Sequence, residues 1–154
     1  MKIRQIARAW LPVVLWMALM FFGSTDLMSA EHTSRFLTPF LRWLNPEISW
    51  AAIAQAHFFV RKAAHVTEYA ILAALLFRGW RSLFSVRAAV VAAFVTAVAF
   101  AAGDEFHQTF VASRTGAIGD VVIDCSGALL SLFFCWILSV RQRPSRNDEG
   151  IERA

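Results

Sequence analysis

Three sets of ionisable residues stand at the ends of apolar runs, where charge is expensive. Lys62, His65 and Glu68 open one run, Asp104, Glu105 and His107 close the next, and Asp120 and Asp124 fall in the first turns of a third. A charged side chain at membrane depth costs about 3 kcal/mol or more, so such residues mark functional sites by default. An imidazole beside a carboxylate is a base with its tautomer fixed. That makes His65 the leading base or nucleophile, with Glu68 or Asp124 to orient it. Asp104 and Glu105 suit the acid role or the positioning of a substrate hydroxyl. Lys62 and Arg114 offer cations to a phosphate, the arginine in bidentate fashion. Tyr69 and Gln108 add neutral hydrogen bonds, and Asp120 near a helix start is favoured by the helix dipole. Carboxylates and histidines also bind divalent cations, but no metal-ligand spacing is present. The chemistry is therefore read as metal-independent, with no cofactor.

Helices of alternating direction would have to bring these residues together. His65 is three residues from Glu68 and four from Tyr69, so the three share one helix side. Asp104 is three residues from His107 and four from Gln108, and Asp120 precedes Asp124 by one turn. Gly127 and Ser131 continue the Asp120–Asp124 stripe, and small residues there let another helix approach closely. Each residue also has a plainer role. Arg61 and Lys62 can snorkel, Asp104 and Glu105 can end a helix in water, and His107 can be a solvated loop residue. His32 and His57 read as surface residues. Glu68 and Asp124, set among apolar neighbours, leave an interhelical ion pair as the alternative to catalysis.

The positioning elements follow from composition. The chain has 154 residues, 58% hydrophobic, with a mean hydropathy of +0.52. That is one domain, too apolar for an ordinary soluble one. The apolar runs are residues 9–23, 63–77, 86–103 and 117–140. They predict an all-α, four-helix integral membrane bundle over residues 1–140, followed by a polar, disordered cytoplasmic tail over 141–154. Lys2, Arg4 and Arg8 before the first run also resemble a signal peptide. Met28 stands where a cleavage site prefers a small residue, so the first helix is expected to stay. Residues 34–44 form an amphipathic pattern, with Phe36, Leu37, Phe40, Leu41 and Leu44 on one side. This predicts a short interfacial helix between the first and second spans, with Trp43 and Trp50 at headgroup level. Asn45-Pro46-Glu47 reads as the start of the second apolar helix, Gly79 and Ser82 as its end, and Ser85 as the cap of the third. Thr115-Gly116 precedes the fourth.

Net charge is +4, and its placement gives topology. Ten Lys and Arg residues fall in the N-terminus, the second-to-third connection and the tail, against five on the other side. The basic excess belongs in the cytoplasm, so both termini are expected inside and the acid-rich connections outside. No basic stripe on a soluble helix points to nucleic acid; membrane lipids are the expected partners. Cys125 and Cys135 lie ten residues apart on one predicted helix. About 15 Å of rise separates them, too far for a disulfide.

The motif Lys62-x-x-His65-x-x-Glu68-Tyr69, then Asp104-Glu105-x-His107-Gln108, Arg114, Asp120, Asp124 and Gly127, resembles the VanZ-like family. The likeness spans residues 62–127 in residue type, order and spacing, and the first helix with its Gly23-Ser24 exit fits more loosely. Where the family often carries asparagine, this chain has Asp124. The resemblance implies a small bacterial plasma-membrane protein. The family's named member is linked to resistance against the glycopeptide teicoplanin, and the family has been proposed to act on phosphate-linked lipid head groups. Three functions follow as expectations. The first is a membrane-embedded enzyme acting on phospholipid or polyprenyl-phosphate head groups. The others are a non-enzymatic module that binds a lipid or glycopeptide, and a structural subunit.

Overall fold

A computed structural model describes residues 3–23, 30–110 and 118–142. Among the described residues there are five helices: α1 (Ile3–Gly23), α2 (Ala30–Leu44), α3 (Trp50–Arg81), α4 (Val86–Gln108) and α5 (Ile118–Arg141). There is no strand among the described residues. Arg114, the Thr115-Gly116 break, residues 24–29 with Met28 among them, and the tail from Arg143 lie outside the described residues. Arg141, expected in the tail, instead closes α5.

Three of the helices are long and apolar enough to cross a membrane: α1 from Arg4, α4, and α5 from Gly119. Their outward faces are apolar. Leu11, Leu15, Leu19 and Phe22 on α1, Val91 and Val95 on α4, and Leu129, Phe133 and Leu138 on α5 are each more than half exposed. Surfaces of this extent in water mark an interaction site or an aggregation hazard. Facing lipid tails, they are the ordinary state of a membrane helix. α3 is longer than any of these but is not among the three. His65, Glu68 and Arg78 interrupt its apolar stretch, because this helix carries much of the polar site.

α3 packs against each of the other four helices, and α4 also packs against α5. The core gathers chiefly where α3, α4 and α5 meet, with Tyr69, Leu72, Ala73 and Leu76 of α3 in one cluster with Ala128 and Leu132 of α5, and Val13 and Met20 of α1 joining it. On α4 the buried residues include Ala89, Ala93, Ala97 and Ala101, four apart along one ridge. Small side chains at this spacing let helices approach closely.

α1 joins α3 through three hydrogen bonds that follow from its sequence. Trp16 Nε1 donates to the Glu68 carbonyl at 3.1 Å. Pro12 lies inside α1, and its missing N–H leaves the Arg8 carbonyl without its usual partner four residues on. The Arg78 guanidinium donates to that carbonyl at 3.3 Å and to the Ala9 carbonyl at 3.2 Å.

Two boundaries differ from the sequence reading. The amphipathic helix extends a further turn at its start, to Ala30. The second apolar helix begins at Trp50, not near Pro46. Asn45 Oδ1 accepts a bond from the Glu47 N–H at 3.1 Å, which makes a local turn of the Asn-Pro segment. Ser49 is the true cap, its Oγ accepting from the Ala52 N–H at 3.2 Å. Thr38 and His57 are 3.1 Å apart and tie α2 to α3, and the Arg42 guanidinium covers the Trp50 ring at 4.3 Å. Ser85 caps α4 and Ser82 closes α3 as expected. Both cysteines are free.

Candidate functional site

The site is built on the close approach of α5 to α3. Gly127 of α5 lies against the backbone of Val66. A Cβ added there would overlap the Val66 carbonyl oxygen and come within 3.0 Å of its Cα. Only a residue without a side chain permits this contact. One turn back on α5 stands Asp124; next to Val66 on α3 stands His65. The glycine thus lets His65 Nδ1 and Asp124 Oδ1 meet at 2.9 Å. Both are buried, Asp124 at 1% exposure.

α4 delivers the acids. Its alanine ridge continues from Ala101 to Glu105, four residues on, so Glu105 is buried on the same face. Asp104 is buried beside it, and its Oδ2 accepts from Gln108 Nε2 at 3.0 Å. A further turn of α5 brings Asp120 into an ion pair with Lys62. Lys62 Nζ also lies 5.2 Å from the centre of the Phe58 ring. Glu68 is half-buried and within electrostatic reach of His65. The Tyr69 side chain is buried, with Asp124, Asp104 and Glu105 as its electrostatic neighbours.

Of the ten residues singled out from the sequence, nine are described. His65, Asp104, Glu105, Gln108, Asp120, Asp124 and Tyr69 are buried, while Lys62 and Glu68 are half-buried. The structure joins them in pairs: Lys62 with Asp120, His65 with Asp124, Asp104 with Gln108. Arg114 lies outside the described residues. His107, read as solvated or functional, is half-buried with its ring 4.8 Å from that of Phe21. His57 is held by Thr38 on α2.

One grouping was missed. His65, Glu105 and Asp124 each present a ligand atom, all within 4.8 Å of one another, a set able to hold a metal ion. No local motif announces it, because each residue comes from a different helix. The only sequence signals were the small residue at Gly127 and the placement of acids at the ends of apolar runs. Several buried polar atoms here have no hydrogen-bond partner among the described residues: Tyr69 Oη, Asp104 Oδ1 and Asp124 Oδ2. Buried polar atoms are normally satisfied, so orphans grouped in one cluster need an explanation.

Helices apolar enough to cross a bilayer, wrapped around a buried cluster of acids and an imidazole, are the make-up of an integral membrane protein with an internal polar site. The model of the VanZ/LLP1 family matches residues 9–139. The chain belongs to that family, as the motif from Lys62 to Gly127 led one to expect. Comparison with curated proteins gave no match, and neither did comparison with solved structures.

Proposed function

We propose that this protein is a membrane-embedded enzyme acting on phosphate-linked lipid head groups, either phospholipid or polyprenyl-phosphate. The observation that carries the reading is the buried His65–Asp124 hydrogen bond, with Asp104 and Glu105 brought alongside from α4. Asp124 fixes the tautomer of His65, leaving the other ring nitrogen with a lone pair for proton transfer. Asp104, held by Gln108, is set to position or protonate a substrate oxygen. Lys62 and Arg114 draw in the phosphate, Lys62 shared with Asp120.

In this reading α3 is the fourth crossing. Its polar residues are tolerated because α4 and α5 cover them, and α2 lies along the interface with Phe36, Phe40 and Trp43 turned outward. The excess of Lys and Arg on one side supports a topology with both termini in the cytoplasm and the site near the outer face of the plasma membrane, and the family supports a bacterial cell. Action there on lipid-linked wall precursors would connect the chain to glycopeptide resistance of the teicoplanin type.

The test is untargeted lipid profiling of cells with and without the gene, alongside a His65→Ala variant at equal abundance. A phosphate-linked lipid that changes with the gene, and reverts in His65→Ala, is the expected result. An unchanged lipid profile, or a variant indistinguishable from wild type, overturns the enzymatic reading.

A further inference from the structure

We infer that His65, Glu105 and Asp124 form a site for a divalent cation of the Mn2+ or Zn2+ class. Ligand atoms about one ion, at bond lengths near 2.1 Å, stand at most about 4.2 Å apart. The three here already lie within 4.8 Å of one another, so a small movement of side chains closes the shell. The three residues are 7%, 6% and 1% exposed. They come from three packed helices, which fixes their spacing without help from a loop. One imidazole and two carboxylates suit Mn2+ or Zn2+ better than Ca2+ or Cu+. Three protein ligands also leave coordination positions open to water or to a phosphate oxygen.

A second observation points the same way. Asp124, itself one of the ligands, has an Oδ2 with no hydrogen-bond partner among the described residues. The Tyr69 hydroxyl, on a side chain 1% exposed, has none either, and neither has Asp104 Oδ1. A hydroxyl and two carboxylate oxygens orphaned in one acid-rich cluster are atoms that a cation and its bound water would satisfy together.

The cation also deepens the proposed function. An acid-rich cluster repels a phosphate, and a divalent ion between the two reverses the sign of that interaction. This last step rests on the lipid head-group reading; the cation site does not. With a cation bound, His65 serves as a ligand, and the proton acceptor of the proposed function is then Asp104, whose Oδ1 has no hydrogen-bond partner among the described residues.

The full-length protein, purified in detergent and stripped with chelator, is titrated with Mn2+ while free ion is followed by electron paramagnetic resonance. A single saturable site per chain is expected, with a nitrogen coupling from the His65 ring in the spin-echo spectrum of the wild type. Glu105→Gln and Asp124→Asn should weaken binding roughly tenfold or more, and His57→Gln should not. The nitrogen signal needs no variant, so misfolding of a substituted chain cannot mimic the result. Absence of saturable binding, absence of nitrogen coupling, or indifference to Glu105→Gln overturns the site. Binding without any effect of chelator on lipid turnover, where turnover is found, overturns the bridging role. Binding with no lipid turnover at all leaves the cation site standing and removes the lipid reading.

Discussion

Replacing Gly127 by alanine puts one methyl group where α5 lies against the backbone of α3. The added carbon would sit 3.0 Å from Val66 Cα and its carbonyl carbon, whereas ordinary contact begins at 3.4 Å. The carbonyl oxygen is nearer still, and backbone cannot rotate away as a side chain can. Relieving the overlap takes roughly 1 Å of helix separation. Applied along the His65–Asp124 bond of 2.9 Å, that movement gives roughly 3.9 Å, beyond hydrogen-bonding distance. Overpacking alone costs about 1–3 kcal/mol, and stranding one partner of a buried pair about 3–5 kcal/mol. The two are not additive, so a loss of about 3 kcal/mol is expected for Gly127→Ala. The control is Gly103→Ala on α4, where an added Cβ has nothing within 4 Å. There the backbone argument reverses the sign, and a gain of about 0.5–1 kcal/mol is expected. Both are read by thermal and detergent-induced unfolding of the purified protein, followed by circular dichroism. If Gly127→Ala falls within about 0.5 kcal/mol of wild type, the close approach that builds the site is refuted.

Other consequences can be checked the same way. Lys62→Met alone should destabilise by about 1–3 kcal/mol, because it leaves buried Asp120 without its cation. The double variant with Asp120→Asn should recover most of that, and simple additivity would show that the pair is not coupled. Arg78→Met should cost about 0.5–1 kcal/mol by leaving the Arg8 carbonyl unsatisfied. Pro12→Ala in the same chain should abolish that cost by restoring the intrahelical bond; a cost that persists would sink this account of the α1–α3 contact. Ser49→Ala should destabilise by about 1 kcal/mol and fray the start of α3 in hydrogen exchange. Fraying on Asn45→Ala instead would return the helix start to Pro46.

The sequence made the helical architecture readable because long apolar runs admit little else. It also made the site composition readable, because charge inside such runs demands a reason. His65 with Asp124 and Lys62 with Asp120 were within reach, since alternating helix directions bring these ends together. Which base meets which acid was not, because His65, Lys62 and Arg114 all stand near the same ends and any of them could have answered Asp124. The start of α3 was misplaced because Asn-Pro suits a turn as well as a helix cap, and only the folded chain chooses. The role of Pro12 was hidden because the group that answers it, Arg78, is distant in sequence. The trio of His65, Glu105 and Asp124 escaped a search for ligand spacing because spacing exists only along one element, and these stand on three.

The most direct measurement is turnover of labelled phospholipid and polyprenyl-phosphate by the purified protein in vesicles, with Asp124→Asn beside it and folding checked for both. Release or transfer of a head group by the wild type is expected, with at least a roughly hundredfold loss in the variant, in line with removal of the group that holds His65 in place. No product from the wild type with either lipid, or equal product from both proteins, would contradict it.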